Sequence, residues 1–191
     1  MTTLLDSAVS RSTNVTLTTI TAQRIVLTGF MGAGKSTVGR LLAAELGWSF
    51  IDIDTEVEQR YGTTVGAMFA TDGEQAFRRR ESAAIARALG SKRVVIALGG
   101  GAPEILTNRL LLEQTADTAV VFLEAPFAIL FDRCVLQEGA AVRPVLMDAA
   151  SAAERFDLRA PFYRRCAKHH IATAEQAPHE TSISILEALR G

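Results

Sequence analysis

The sequence predicts an α/β fold, with a five-stranded, mostly parallel sheet and helices on both of its faces. Short, continuous apolar runs alternate along the chain with longer segments whose apolar residues recur at helical spacing. Strands that are apolar on both faces are typical of a parallel sheet that is covered on two sides. The chain has 191 residues, and 48% of them are hydrophobic, which suits one compact domain with a full core.

The five predicted strands are short apolar runs, and the first and third of them stop at glycine. The first ends at Gly29, and the third ends at three consecutive glycines. The strands are predicted at 24–28, 49–53, 93–98, 118–123 and 170–173.

The predicted helices have apolar residues at helical spacing, and several have a glycine or a proline that marks one end. Gly47 and Gly90 follow the first two helices as C-terminal caps. Pro126 lies in the first turn of the third helix, where its missing N–H costs nothing, and Pro161 predicts a kink in the fourth. The helices are predicted at 38–46, 72–89, 126–135, 151–168 and 181–190.

Two segments lie outside this alternation. Residues 1–22 are rich in serine and threonine without a sustained period, so we expect a disordered extension or a leader there. Residues 23–191 form the predicted domain. Within it, the irregular stretch 136–150 is long for a loop in a compact domain, which predicts a mobile lid.

Charge and composition exclude several classes of protein. The formal net charge is −1, so no basic surface for nucleic acid is expected. No apolar run reaches the roughly 20 residues that span a bilayer, and the N-terminus lacks a secretory signal pattern. Cys134 and Cys166 have no metal-binding spacing. They are free thiols of a reducing compartment or, alternatively, one disulfide. We expect a cytoplasmic monomer.

A glycine-rich motif, G-x-x-x-x-G-K-[ST], lies at 29–36 between the first predicted strand and helix. Glycines let backbone N–H groups approach a phosphate, and the helix N-terminus adds roughly half a positive charge. The lysine supplies charge for the β- and γ-phosphates, and the serine hydroxyl is placed to ligate Mg²⁺. The alternative is a glycine-rich turn with a solvated lysine. The expected ATP-binding residues are Gly32, Ala33, Gly34, Lys35, Ser36 and Thr37.

Among proteins with this loop, a small-molecule kinase fits best. A regulatory GTPase needs N-K-x-D, but neither Asn14 nor Asn108 precedes a lysine, and no aspartate begins a D-x-x-G motif. A motor ATPase needs an acidic residue at the end of a neighbouring strand, for which Glu124 is the only candidate. A binding module that retains nucleotide without transferring a phosphoryl group is a third alternative.

Asp52 and Asp54 end the second predicted strand, two residues apart. The strand period puts both on one face, at the carboxyl edge of the sheet, where ligands bind. Asp52 would then bind Mg²⁺, and Asp54 would accept a hydrogen bond or a proton from the attacking hydroxyl. The alternative is that Asp54 caps a helix that begins near Thr55.

The glycines Gly99, Gly100 and Gly101 follow the third strand at the same edge. They allow a ligand to lie against the main chain, and a plain flexible turn is the alternative.

Two arginines are candidates for binding an anionic substrate. Arg78 shares a helix face with Glu81, whose carboxylate would orient the guanidinium. Arg159 is a second candidate clamp, and on residue type alone each arginine could instead lie on the surface. Arg143 belongs to the predicted lid, and it would reach the transferred phosphoryl group when the lid closes. Lid closure would also exclude water from the site.

The chain from Arg24 onward closely resembles the shikimate kinase family. The matching stretches agree with that family in order and spacing, and the resemblance covers about seven-eighths of the chain. They are GFMGAGKSTVGR at 29–40, FIDID at 50–54, FATDGEQAFRR at 69–79, LGGG at 98–101, RPVL at 143–146 and RAPFY at 159–163.

The resemblance implies ATP-dependent phosphorylation of the shikimate 3-hydroxyl, with shikimate and ATP as the partners. It implies that Asp54 binds the reacting hydroxyl and is the favoured base, and that Arg78 and Arg159 bind the substrate carboxylate. It also implies that Gly100 touches the substrate. Arg133 would lie against adenine, and Arg143 would contact ATP from the lid. Another small-molecule kinase, such as a gluconate kinase, is the alternative.

Overall fold

The computed structural model describes residues 20–136 and 149–190. Five strands in these ranges form one sheet in the order β2-β3-β1-β4-β5, and all neighbouring pairs are parallel. The predicted five-stranded parallel sheet is therefore confirmed. The strands are β1 (Arg24–Thr28), β2 (Ser49–Asp52), β3 (Val94–Ala97), β4 (Thr118–Glu124) and β5 (His169–Ala172).

Helices lie on both faces of the sheet, as predicted. In the described ranges they are α1 (Lys35–Leu46), α2 (Ile53–Tyr61), α3 (Val65–Leu89), α4 (Leu106–Gln114), α5 (Phe127–Val135), α6 (Ala149–Cys166) and α7 (Pro178–Arg190). Right-handed crossovers put α1 on one face and α3, α4 and α6 on the other. Accordingly, α1 packs against α7, whereas α4 packs against both α3 and α6.

Helix α3 is longer than the sequence pattern indicates. It begins at Val65, where the Thr64 side chain accepts a hydrogen bond from the N–H of Ala67 at 3.2 Å. At Gly73 the backbone leaves helical geometry, with φ 78° and ψ 164°. The second part of α3 therefore corresponds to the helix predicted at 72–89, and the first part was not predicted.

The ends of the expected segments differ from the prediction in part. Ala22 is buried and Ile20 packs against the core, so the domain begins before residue 23. Residues 1–19 of the expected extension and residues 137–148 of the expected lid lie outside the described residues. Cys134 and Cys166 are not joined by a disulfide, so that alternative is wrong. No helix in the described ranges is both long and apolar enough to cross a membrane.

The sheet brings three loops together at its carboxyl edge. Strand β1 lies between β3 and β4, so the loop that follows it emerges near the middle of the sheet. Ala97 of β3 is in register with both Leu27 of β1 and Asp52 of β2. The segments that follow β1, β2 and β3 therefore leave the sheet side by side, where parallel sheets bind ligands.

Candidate active site

The loop after β1 has the backbone geometry of a phosphate-binding loop. Gly32 and Gly34 have φ values of 78° and 86°, in the left-handed region that favours glycine. A Cβ atom on Gly32 would collide with the carbonyl oxygen of Leu130 and lie 2.9 Å from the Sγ atom of Cys134. Helix α5, which carries both of these residues, thus packs directly beneath the loop and requires glycine there.

Helix α1 begins at the end of this loop without a side-chain cap. Its N-cap residue is Gly34, and no acidic side chain lies in its first turn. The first N–H groups of α1 therefore remain oriented toward the loop, as a site for an anion requires. Ala33 is buried within the loop, and Thr37 lies exposed in the first turn of α1.

Lys35, the first residue of α1, folds back over the loop. Its Nζ atom donates hydrogen bonds to the carbonyl oxygens of Gly29 at 2.8 Å and Phe30 at 2.9 Å. The ammonium group is thus fixed on the phosphate-binding side of the loop. The role of Lys35 at the β- and γ-phosphates stays a prediction.

Asp52 joins the start of α1 to the start of α2. Its Oδ2 atom accepts a hydrogen bond from the Ser36 hydroxyl at 2.5 Å. Its Oδ1 atom accepts bonds from the N–H groups of Asp54 at 3.1 Å and Thr55 at 3.4 Å. Asp52 is therefore the N-cap of α2, which fixes one carboxylate oxygen beside the serine.

The prediction that Asp54 ends the second strand is wrong. Strand β2 ends at Asp52, and Asp54 lies in the first turn of α2. The alternative, in which Asp54 is the cap of that helix, is also wrong, because the cap is Asp52. Asp54 nevertheless lies close to Asp52, because its backbone N–H donates to Asp52 Oδ1.

Asp54 faces the glycine turn after β3 together with Glu81 of α3. A Cβ atom on Gly99 would lie 2.8 Å from Asp54 Oδ1 and would collide with Glu81 Oε1. The two carboxyl groups thus approach the main chain at the same glycine. Any side chain at position 99 would therefore displace both of them.

Arg78 lies on α3 between two carboxylates. Its Nη1 atom donates to Glu81 Oε2 at 2.8 Å, and its Nη2 atom donates to Glu74 Oε1 at 2.8 Å. The side chain of Arg78 is only 13% exposed. A Cβ atom on Gly101 would collide with the Arg78 guanidinium. Arg78 therefore lies against the glycine turn, in an orientation that Glu74 and Glu81 fix.

Glu81 is the most unusual acid of the site. It is fully buried, and in the described part of the chain its Oε1 atom has no hydrogen-bond partner. Burial raises the pKa of Glu81 to about 7, because the positive charge of Arg78 only partly offsets the loss of solvation and the negative charge of Asp54 adds to it. Glu81 thus titrates near neutral pH inside the site.

Arg159 approaches the same turn from α6. It is buried, and its Nε atom donates to Glu104 Oε1 at 2.7 Å. A Cβ atom on Gly100 would lie 3.9 Å from Arg159 Nη1 and 3.9 Å from the carbonyl oxygen of Gly29. The phosphate-binding loop, the glycine turn and Arg159 therefore meet around Gly100.

The remaining two predicted residues lie at the edge of the site or beyond the described ranges. Arg133 of α5 donates from Nη2 to the carbonyl oxygens of Thr173 at 2.5 Å and Ala174 at 3.2 Å. It thus braces the segment that follows β5. Arg143 lies outside the described residues.

Sequence reasoning missed two side chains that shape the site. Glu104, in the 3₁₀ turn Ala102–Glu104, orients Arg159, and Tyr163 donates a hydrogen bond to the carbonyl oxygen of Gly100 at 2.6 Å. The RAPFY stretch marks Tyr163 in the sequence, although not its partner. No local pattern could have found Glu104, because it lies 55 residues from Arg159 along the chain.

Comparisons with known proteins point to one family. The family model described as "Shikimate kinase" matches residues 31–190. The chain belongs to the shikimate kinase family. A shikimate kinase of Symbiobacterium thermophilum is 41% identical over 174 residues, which span 87% of this chain and 95% of the relative. A shikimate kinase of Thermobifida fusca is 42% identical over 170 residues, which span 86% of this chain and 93% of the relative.

Solved structures of the shikimate kinase family share the fold. The Acinetobacter baumannii shikimate kinase in complex with shikimate has a TM-score of 0.81 and 34% identity, covering 89% of this chain and 94% of that one. A gluconokinase of Sinorhizobium meliloti has a TM-score of 0.58 and 20% identity over 89% of this chain and 92% of that one. That likeness concerns the fold alone and carries no argument for a gluconate kinase.

Proposed function

We propose that this protein transfers the γ-phosphoryl group of ATP to the 3-hydroxyl of shikimate, giving shikimate 3-phosphate and ADP on the route to chorismate and the aromatic amino acids. The meeting of the phosphate-binding loop with two anchored arginines at one glycine turn carries this proposal. The substrate carboxylate would lie on Arg78 and Arg159, and its hydroxyl would point toward the loop.

The nucleotide phosphates bind the loop at the start of α1. The N–H groups of the loop and of the first turn donate to phosphate oxygens, and Lys35 moves its ammonium group from the carbonyl oxygens of Gly29 and Phe30 to the phosphates. Arg133 and the segment that it braces at Thr173 border the adenine. Arg143 contacts ATP from the lid when the substrates are bound.

Ser36 and Asp52 fit a magnesium ion that arrives with ATP. Their oxygen atoms are adjacent at the start of α1, and oxygen ligands suit Mg²⁺. The described residues contain no group of three or more histidine, cysteine or acidic side chains that could hold a metal. The remaining ligands would therefore be phosphate oxygens and water. Bound there, Mg²⁺ would offset negative charge on the β- and γ-phosphates.

Asp54 acts on the attacking hydroxyl. Its carboxylate accepts a hydrogen bond from the 3-hydroxyl and aligns that oxygen with the γ-phosphorus. As the new P–O bond forms, the hydroxyl proton passes to Asp54, and the bond from the γ-phosphorus to the bridging oxygen breaks. ADP leaves with the bridging oxygen.

Substrate-dependent formation of ADP tests the proposed function. We expect ADP to form rapidly with shikimate and ATP, and slowly with quinate, with gluconate or without an acceptor. Equal rates with and without shikimate would contradict the proposal. A faster rate with gluconate would favour a different small-molecule kinase.

Replacing Arg78 tests the carboxylate clamp. Truncating one partner of a buried charge-assisted contact costs about 2–5 kcal/mol, so Arg78→Ala should raise the shikimate KM at least about thirtyfold. The ATP KM should change little. Arg79→Ala is the matched control, because Arg79 is its exposed neighbour on the same helix. A normal shikimate KM in Arg78→Ala would rule out the clamp.

A further inference from the structure

Tyr163 is a fully buried side chain to which the proposed reaction assigns no role. It lies on α6 four residues after Arg159, so the two side chains share one helix face. Its ring packs on Phe122 of β4, with ring centroids 5.4 Å apart and an interplanar angle of 31°. This packing fixes the hydroxyl oxygen beside the glycine turn.

The Tyr163 hydroxyl determines how one peptide unit of that turn is oriented. It donates to the carbonyl oxygen of Gly100 at 2.6 Å. Burial raises the pKa of Tyr163, so the hydroxyl keeps its proton and remains a donor. The peptide bond between Gly100 and Gly101 is trans, so the N–H of Gly101 points opposite to that carbonyl, away from Tyr163.

The N–H groups of the glycine turn differ in whether another residue accepts a hydrogen bond from them. The N–H groups of Ala102 and Glu104 donate to the carbonyl oxygens of Gly99 and Gly101, each at 3.0 Å. Within the described ranges, the N–H groups of Gly100 and Gly101 donate to no protein acceptor. Gly101 is buried, and buried N–H groups are nearly always paired in native proteins, so the N–H of Gly101 is a candidate for pairing with a ligand.

We propose that Tyr163 is a positioning residue that fixes the Gly100–Gly101 peptide so that its N–H donates to the bound substrate. This inference rests on the proposed function. The position of this peptide suits a contact with the substrate. A Cβ atom added to Gly100 would lie 3.8 Å from the Tyr163 hydroxyl oxygen and 3.9 Å from both Arg159 Nη1 and the Gly29 carbonyl oxygen. The fixed peptide thus borders both the carboxylate clamp and the phosphate-binding loop.

Tyr163→Phe tests the inference, because it keeps the ring on Phe122 and removes only the hydroxyl. We expect the shikimate KM to rise about tenfold, the size of effect that one lost hydrogen bond gives, with the ATP KM unchanged. Tyr61→Phe is the matched control, since Tyr61 is the other tyrosine of the chain and is 43% exposed. We expect both of its KM values to stay normal.

Amide hydrogen exchange in the unmodified protein provides a second measurement that needs no variant. Saturating shikimate should slow exchange at Gly101, because its N–H would donate to the substrate. Exchange that is equally fast with and without shikimate would overturn the inference.

The outcomes separate this inference from the proposed function. An active Tyr163→Phe protein with a normal shikimate KM would overturn the inference alone, even if its melting temperature fell, because the hydroxyl would then be only structural. No shikimate-dependent ADP formation by the unmodified protein would overturn the proposed function and the inference together.

Discussion

Replacing Glu81 with glutamine should change how the stability of the protein depends on pH. In the folded protein the pKa of Glu81 is about 7, against an ordinary value of 4.5. Between these pH values the folded state therefore binds more protons than the unfolded state. Raising the pH through this window favours unfolding, so the contribution of Glu81 to stability is greatest below about pH 4.5 and is lost as the pH passes 7.

The size of this effect follows from the same two values. Each pKa unit corresponds to about 1.4 kcal/mol, so a rise from 4.5 to about 7 is worth about 3 kcal/mol at most. Most of the titration falls between pH 5 and pH 8. Over this range we expect the contribution of Glu81 to the free energy of unfolding to fall by about 2–3 kcal/mol. Glutamine removes this change because it does not titrate, yet its amide oxygen still accepts a hydrogen bond from Arg78.

Urea unfolding of both proteins at pH 5 and pH 8 measures the difference directly. We expect the free energy of unfolding of Glu81→Gln, minus that of the unmodified protein, to rise by about 2–3 kcal/mol from pH 5 to pH 8. The other titrating groups are common to both proteins, so their contributions cancel in this difference. Glu74→Gln is the control, since Glu74 is the exposed carboxylate on the same arginine. A stability difference between Glu81→Gln and the unmodified protein that stays constant with pH would refute the reasoning.

Substitutions at three further positions test individual roles in steady-state kinetics. Asp54→Asn should lower kcat about 10²–10⁴-fold with a nearly normal shikimate KM, because the amide cannot accept the proton, and near-normal kcat would remove Asp54 as the base. Glu104→Ala should raise the shikimate KM about threefold to tenfold by freeing Arg159, whereas Glu104→Gln keeps an acceptor and should change it less; equal KM values in all three proteins would argue against this role. Lys35→Met should lower kcat about 10²-fold or more, and full activity would contradict the phosphate-loop assignment.

The sheet was predictable because its strands carry a strong local signal. Continuous apolar runs mark buried parallel strands regardless of their partners, and all five were found within one or two residues of their observed bounds. Helix α4 was missed because apolar and polar side chains are partly exchanged between its exposed and buried positions. Leu106 and Leu110 are exposed, whereas Asn108 is buried and donates to the carbonyl oxygen of Ala102 at 2.9 Å. Tertiary contacts, not local periodicity, determine that helix.

The site was predictable wherever one motif carries both the residue and its role. The phosphate loop is such a case, because its glycines, lysine and serine are consecutive. The error at Asp54 arose because Ile51-Asp-Ile-Asp54 alternates as a strand does, while the capping bonds that Asp52 makes begin a helix within it. Glu104 and Tyr163 act through partners 55 and 63 residues away, which no local pattern reports.

A crystal structure with ADP and shikimate bound would test the central claim most directly. We expect the ring carboxylate to lie between the guanidinium groups of Arg78 and Arg159, with the 3-hydroxyl on Asp54 and facing the phosphate loop. A ring bound elsewhere, or bound here with its carboxylate turned away from both arginines, would contradict the account.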